Sequence, residues 1–93
     1  MADFYLHPDH DAQAARQRLA EIAETSSYRK PETKVTVIVK EEPWGTHYRV
    51  KAYVKESREQ FLFTTDITVR GKQALRAMQI RFAQAPYAEA GKS

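Results

Sequence analysis

Cysteine is absent from this chain of 93 residues, so neither a disulfide framework nor a cysteine-based zinc site is open to it, which fits a reducing compartment. Glycine is nearly as scarce. The three glycines stand alone at 45, 71 and 91, and without a cluster of them no glycine-rich phosphate loop can form. Long apolar runs are missing too: uncharged stretches such as Gln60 to Thr65 fall far short of the ~20 residues that cross a bilayer, so no membrane insertion by this segment is expected. Met1-Ala2-Asp3 has neither the basic start nor the apolar core of a signal peptide. With these options gone, what remains is one small domain, whose size lets it bury about 60 to 65% of the unfolded chain's surface.

Charge is present in both signs but unevenly. Asp3, Asp9, Asp11, Glu21 and Glu24 outnumber Arg16 and Arg18, leaving the first 27 residues at −3 and the remainder at +6 of the total +3. A basic half can attract nucleic acid or anionic lipid, although scattered lysines on wet faces explain the same balance.

The apolar pattern gives alternating elements. Asp3 to His7 reads as a short edge strand closed by Pro8. Asp9 or Asp11 then caps a helix in which Ala12, Ala15, Leu19, Ile22 and Ala23 share one face, and Thr25-Ser26-Ser27 ends it. Val35, Val37 and Val39 alternate with Thr36, Ile38 and Lys40, the period of a strand with one fully buried face. Tyr48 to Lys55 alternates likewise, and the link Glu42 to Thr46 supplies the Pro and Gly of a hairpin. Propensity alone favours a strand for Gln60 to Val69. Yet Ser57-x-x-Gln60 has the form of a capping box, and Phe63, Ile67, Gly71, Ala74 and Met78 form a helical stripe, so Arg58 to Met78 is predicted as a second helix. Gly71 inside it is expected to mark a close packing contact. Ile80 to Ala83 is expected to be a last strand. The order is then βαββαβ, an α+β fold of the ferredoxin-like, split βαβ kind, with both helices on one face of a mainly antiparallel sheet. The domain is expected over residues 3–85, with 86–93 a flexible tail.

Chemistry is hard to find in this order. His7, Asp9, His10 and His47 could meet in space, but Pro8 breaks helical ligand spacing, and no metal is expected. Ser26 and Ser27 read as a helix end rather than a nucleophile, and Glu41 and Glu42, adjacent on a strand end, point opposite ways. No enzyme and no cofactor are expected. Arg49 to Glu56 can be laid on the RNA-recognition signature, where Arg49, Ala52 and Val54 match and Tyr53 substitutes for Phe, but Val50, Lys51 and Glu56 replace the residues that carry the stacking platform. Nucleic acid is therefore not an expected partner. Trp44, on a loop, either folds back on the domain or anchors a subunit interface, and the same choice holds for Phe61 and Tyr87.

Tyr53-Val54-Lys55, Phe61, Asp66-Ile67, Arg70-x-Lys72 and Ala74-Leu75, with Asp9 opening a helix, Ser26-Ser27-Tyr28, and Val35 to Glu41, resemble in register the C-terminal cytoplasmic domain of the small-conductance mechanosensitive ion channel family. The resemblance covers nearly the whole chain. It departs at Met78-Gln79, where the family commonly has a helix-ending Gly, and at Ala83 to Pro86, where it has Pro-Phe-Pro. It implies a vestibule and oligomerisation domain without chemistry of its own, with residues 1–2 an artificial start. The full channel would assemble as a heptamer, on the cytoplasmic side of the bacterial inner membrane, with Arg49, Lys51 and Lys55 as vestibule or sheet-face charge; the fragment alone would associate weakly. The alternative is a free-standing ferredoxin-like module binding RNA or protein.

Overall fold

The computed structural model describes residues 1–83 of the chain. Three strands, β1 (Ala2–Leu6), β2 (Thr36–Glu42) and β3 (Gly45–Lys51), form an antiparallel sheet in the order β1-β3-β2. Helix α1 (Ala12–Glu24) and helix α2 (Gln60–Ala77) pack on each other and on one face of that sheet, so the domain is α+β as the pattern predicts. The core lies between the layers: Phe4 and Leu6 from β1, Tyr48 and Val50 from β3, Leu19 and Ile22 from α1, Phe63, Ile67 and Leu75 from α2.

Helix α1 starts where a carboxylate can serve its free amides: the Asp11 side chain accepts from the Ala14 N–H at 3.1 Å. Ala15, Leu19, Ile22 and Ala23 are buried as expected, whereas Ala12 is exposed. Helix α2 buries Phe63, Ile67, Gly71, Ala74 and Leu75. Its entrance differs from the expectation. Instead of a capping box, a 3₁₀ turn over Ser57–Glu59 leads into the helix with no side-chain cap.

The strands are shorter than their alternation suggests. β2 and β3 join through Pro43 and Trp44 alone, with Glu42 opposite Gly45, and β3 stops at Lys51. The reason is a change of partner: Lys30 N–H donates to the Tyr53 carbonyl (2.8 Å) and Lys55 N–H to that of Tyr28 (3.0 Å), around a bridge between Arg29 and Val54. β2 lies at the sheet edge, so only Val37 of its valines is fully buried, and Val39 is 41% exposed. The expected fourth strand is reduced to a single bridge, Leu6 to Phe82, flanked by His7 N–H to Arg81 O and Ala83 N–H to Tyr5 O, both 2.8 Å. It lies beside β1, the place the ferredoxin-like order requires. Tyr87 and the expected tail fall outside the described residues.

Gly71 explains how α2 sits so near β1. A Cβ there would stand 2.5 Å from Phe4 Cζ and 2.8 Å from Cε2, closer than carbon atoms approach without displacing the ring. Gly71→Ala, which on an exposed helix face would gain about 1 kcal/mol in propensity, should here cost about 1 to 3 kcal/mol through overpacking. Urea denaturation measures it, and an unchanged or raised midpoint would contradict this packing.

The far end of α2 closes in a Schellman motif. Gln79 N–H donates to Arg76 O (2.9 Å) and Ile80 N–H to Leu75 O (3.0 Å), while the buried Ile80 and Leu75 supply the apolar contact that accompanies it. The residue that turns the chain is Gln79, at φ 63°, where Gly carries no penalty. The missing helix-ending Gly thus leaves the motif intact but strained. Gln79→Gly should stabilise the domain by about 0.5 to 1 kcal/mol, the left-handed penalty of ~1 to 2 kcal/mol being partly offset by added unfolded-state entropy. A lower denaturation midpoint would count against that geometry.

Candidate functional site: the open face of the sheet

With both helices on one side, the residues of opposite parity form an open face. Register sets its rows: Asp3, Arg49 and Ile38 in one, Tyr5, His47 and Lys40 in the next, Lys51 beside Thr36 at the end. Asp3 is the hub of the first two rows. A single oxygen of its carboxylate accepts from Arg49 Nε and from His47 Nε2, both at 2.8 Å. Partial burial pushes the Asp3 carboxyl up, and the hydrogen bonds and charges of Arg49 and His47 more than reverse it, so its pKa lies below the ordinary carboxylate value. The hydrogen bond and charge of Asp3 in turn raise the Arg49 guanidinium above its usual value.

An aromatic row continues the face. The His47 ring stacks on Tyr5 with centroids 4.6 Å apart, and Trp44 packs against the other ring of that pair, Tyr5, at 5.5 Å. Trp44 is therefore half-buried against Tyr5 of its own domain. Phe61 is the opposite case, 78% exposed on α2. Arg49 and Lys51 lie on the open face, whereas Lys55 lies beyond β3, on the segment that pairs with Tyr28 to Lys30. Arg49 is engaged by Asp3; Lys51 has no ion pair among the described residues.

The histidines are dispersed and otherwise engaged. His10 Nδ1–H donates to the His7 carbonyl (2.6 Å), leaving Nε2 to accept from the Tyr48 hydroxyl (2.7 Å) on the helix-facing side, while His47 serves Asp3 on the other. Burial, then the negative charges of Glu41 and Asp11, raises the Tyr48 pKa. Among the described residues no three His, Cys, Asp or Glu side chains gather as a metal site, and no helix is long and apolar enough to cross a membrane.

One constellation escapes local sequence reasoning. Asp66 Oδ2 accepts from the Ser26 hydroxyl (2.9 Å) and from Arg70 Nη1 (3.1 Å); Arg70 also donates to the Ile22 carbonyl (3.2 Å) and to Thr25 Oγ1 (2.6 Å). The guanidinium thus serves the C-terminal end of α1, where carbonyls lack helical partners, from a position on α2. Asp66 and Arg70 are four apart on one helix, the only signal a reader could use. Ser26 is buried as a strut in this clamp, and the carboxylate that accepts the hydrogen bond of its hydroxyl, Asp66, is itself paired with Arg70.

The arrangement is an α+β domain with a structural polar clamp on one side and a basic, aromatic sheet face on the other. The family model described as "Mechanosensitive ion channel MscS, C-terminal" matches residues 3–82, and the chain belongs to that family. Its place is thus in an ion channel family and not an enzyme family. Neither the curated proteins nor the solved structures give a match to the chain.

The Asp3 hub has a defined pH signature. A carboxyl whose folded pKa is lowered contributes stability that is full above its unfolded value, about 3.9, and is lost as pH falls through the folded value. Asp3→Asn should therefore cost about 1 kcal/mol or less at pH 7, the scale of a partly exposed pair, and the difference should vanish at acid pH. Denaturation at pH 7 and below pH 3 checks it; a difference that persists or grows in acid would contradict the assignment.

Proposed function

We propose that this domain forms part of the wall of a cytoplasmic vestibule beneath the pore of a mechanosensitive channel, and that it helps hold a heptameric ring together. The match over residues 3–82 carries the reading. The open sheet face suits a solvent-filled chamber: Lys40, Arg49 and Lys51 lie on it with Asp3, and rings of side-chain charge of this kind bias which ions pass. Lys55, outside that face, belongs with the surface charge beyond the strand.

Subunit contact falls to the outer stripe of α2. Phe61, Leu62 and Val69 are 78%, 46% and 50% exposed, and the spacing from 61 through 65 to 69 keeps them on one side of the helix, away from Phe63 and Ile67. Apolar side chains so placed gain from a neighbouring subunit and cost little in the lone domain. The clamp of Asp66 and Arg70 would keep that stripe rigid. Self-association of the fragment through so small a patch would be weak, since stable interfaces bury upwards of roughly 1,000 Å².

Phe61→Glu separates assembly from folding. In a channel chain carrying this domain behind its pore, the substitution should lower the yield of heptamer in native mass spectrometry, while thermal unfolding of the isolated 93-residue domain stays within about 0.5 kcal/mol of wild type. Full heptamer yield would remove Phe61 from the interface. A tight dimer of the isolated wild-type domain at micromolar concentration would favour the free-standing module instead.

A further inference from the structure

At the end of the open face, where the sheet meets the start of α2, lies a cavity of ≈ 520 Å³ lined by Met1, Lys34, Thr36, Lys51, Ala52, Tyr53 and Gln60. Its volume is within the range of small-ligand sites, about 300 to 1,000 Å³. The lining is chemically one-sided. Two lysines and the N-terminal Met1 line it and no acidic residue does, and neither lysine has an ion pair among the described residues, unlike Arg49, Arg70 and Lys40. Register explains the meeting: Lys51 stands opposite Thr36, and Lys34 precedes Thr36 by two, on the diagonal that long side chains span.

The remaining wall mixes apolar and neutral polar groups. Tyr53 is 67% exposed, its backbone is held by the Lys30 amide at 2.8 Å, and it lines the cavity. Ala52 and the Met1 side chain add apolar surface, and Thr36 and Gln60 add neutral hydrogen-bonding groups. Two free cations beside an exposed aromatic face match an anionic ligand that carries a planar ring. Phosphate oxygens suit paired ammonium groups, and a heterocycle suits stacking on tyrosine.

We propose that this cavity binds a mononucleotide, with Lys34 and Lys51 on the phosphates and Tyr53 against the base. The isolated domain supplies every lining residue, so the site can be tested on the domain alone. It differs from a single-strand platform in lacking a second stacking position along β3, where His47 and Arg49 are held by Asp3.

The test is titration of the 93-residue chain, by amide chemical shifts and calorimetry, with ATP, inorganic triphosphate, adenosine and a single-stranded RNA oligonucleotide. ATP should bind saturably and shift the amides of Lys51 to Tyr53, with triphosphate and adenosine each weaker by roughly tenfold, about 1.4 kcal/mol. Lys34→Gln with Lys51→Gln should abolish the ATP response. Tyr53→Ala should erase the preference for ATP over triphosphate, and Lys40→Gln, on the open face outside the cavity, should change nothing. Equal binding of ATP and triphosphate to the wild type would reduce the site to a patch of charge and overturn the proposal. So would absence of saturable shifts, or RNA binding tighter than ATP. Because the readout is on the isolated domain, a negative result leaves the channel reading standing, and a failed ring assay leaves this site standing.

Discussion

The close approach of Gly71 to the Phe4 ring is the contact on which the rest of the architecture depends. It lets an 18-residue helix lie directly across the first strand, so that Phe63, Ile67 and Leu75 enter the same core as Leu6 and Tyr48. With α2 so near the sheet, α1 fills the remaining width, and its C-terminal end comes within reach of Arg70. The clamp among Ser26, Asp66, Arg70 and the Ile22 carbonyl then fixes the two helices to each other. One face of the sheet is filled, and the other is left to solvent or to a partner.

That division assigns different kinds of residue to different duties. On the packed side, polar groups are struts with satisfied partners, as Ser26 and the Tyr48 hydroxyl are. Across the open side, the Asp3 hub orders a cationic and aromatic surface without burying it, which keeps Arg49 and His47 in fixed positions rather than freely waving. Lys34 and Lys51 escape this network. Free charge is thus concentrated at one end of the face, beside Tyr53, while the centre of the face is neutralised. In the role we propose, a vestibule wall, defined charge matters more than chemistry.

Much of the architecture was legible because its signals are local. The stripe Phe63, Ile67, Gly71, Ala74 resolved the ambiguity of Gln60 to Val69 in favour of helix, and an isolated Gly in that stripe pointed to a tight contact. The strand ends were not legible, since the pairing of Tyr53 and Lys55 with Lys30 and Tyr28 is a long-range choice that alternation cannot express. Nor was the exposure of Val39, which follows from β2 lying at the edge. Within the site, Arg49 and Lys51 could be placed on a strand face by parity, but the partner of Arg49 could not, because Asp3 is 46 residues away. The clamp was half visible as the i, i+4 pair of Asp66 and Arg70; its other half lies on α1. Trp44 turned inward because a two-residue turn sets it beside Tyr5, a geometry that composition does not reveal.

The central claim is that the two surfaces face different environments in the assembled channel: the basic sheet face towards the aqueous chamber, the outer stripe of α2 towards a neighbouring subunit. Thiol labelling reads this directly, because these 93 residues contain no cysteine to obscure it. Single Lys51→Cys and Val69→Cys variants of the assembled channel, treated with a small charged maleimide, should differ sharply: both react in the isolated domain, and only the cysteine at position 51 reacts at an undiminished rate in the ring. Undiminished reaction at position 69 in the assembled channel, or protection at 51, would contradict the account.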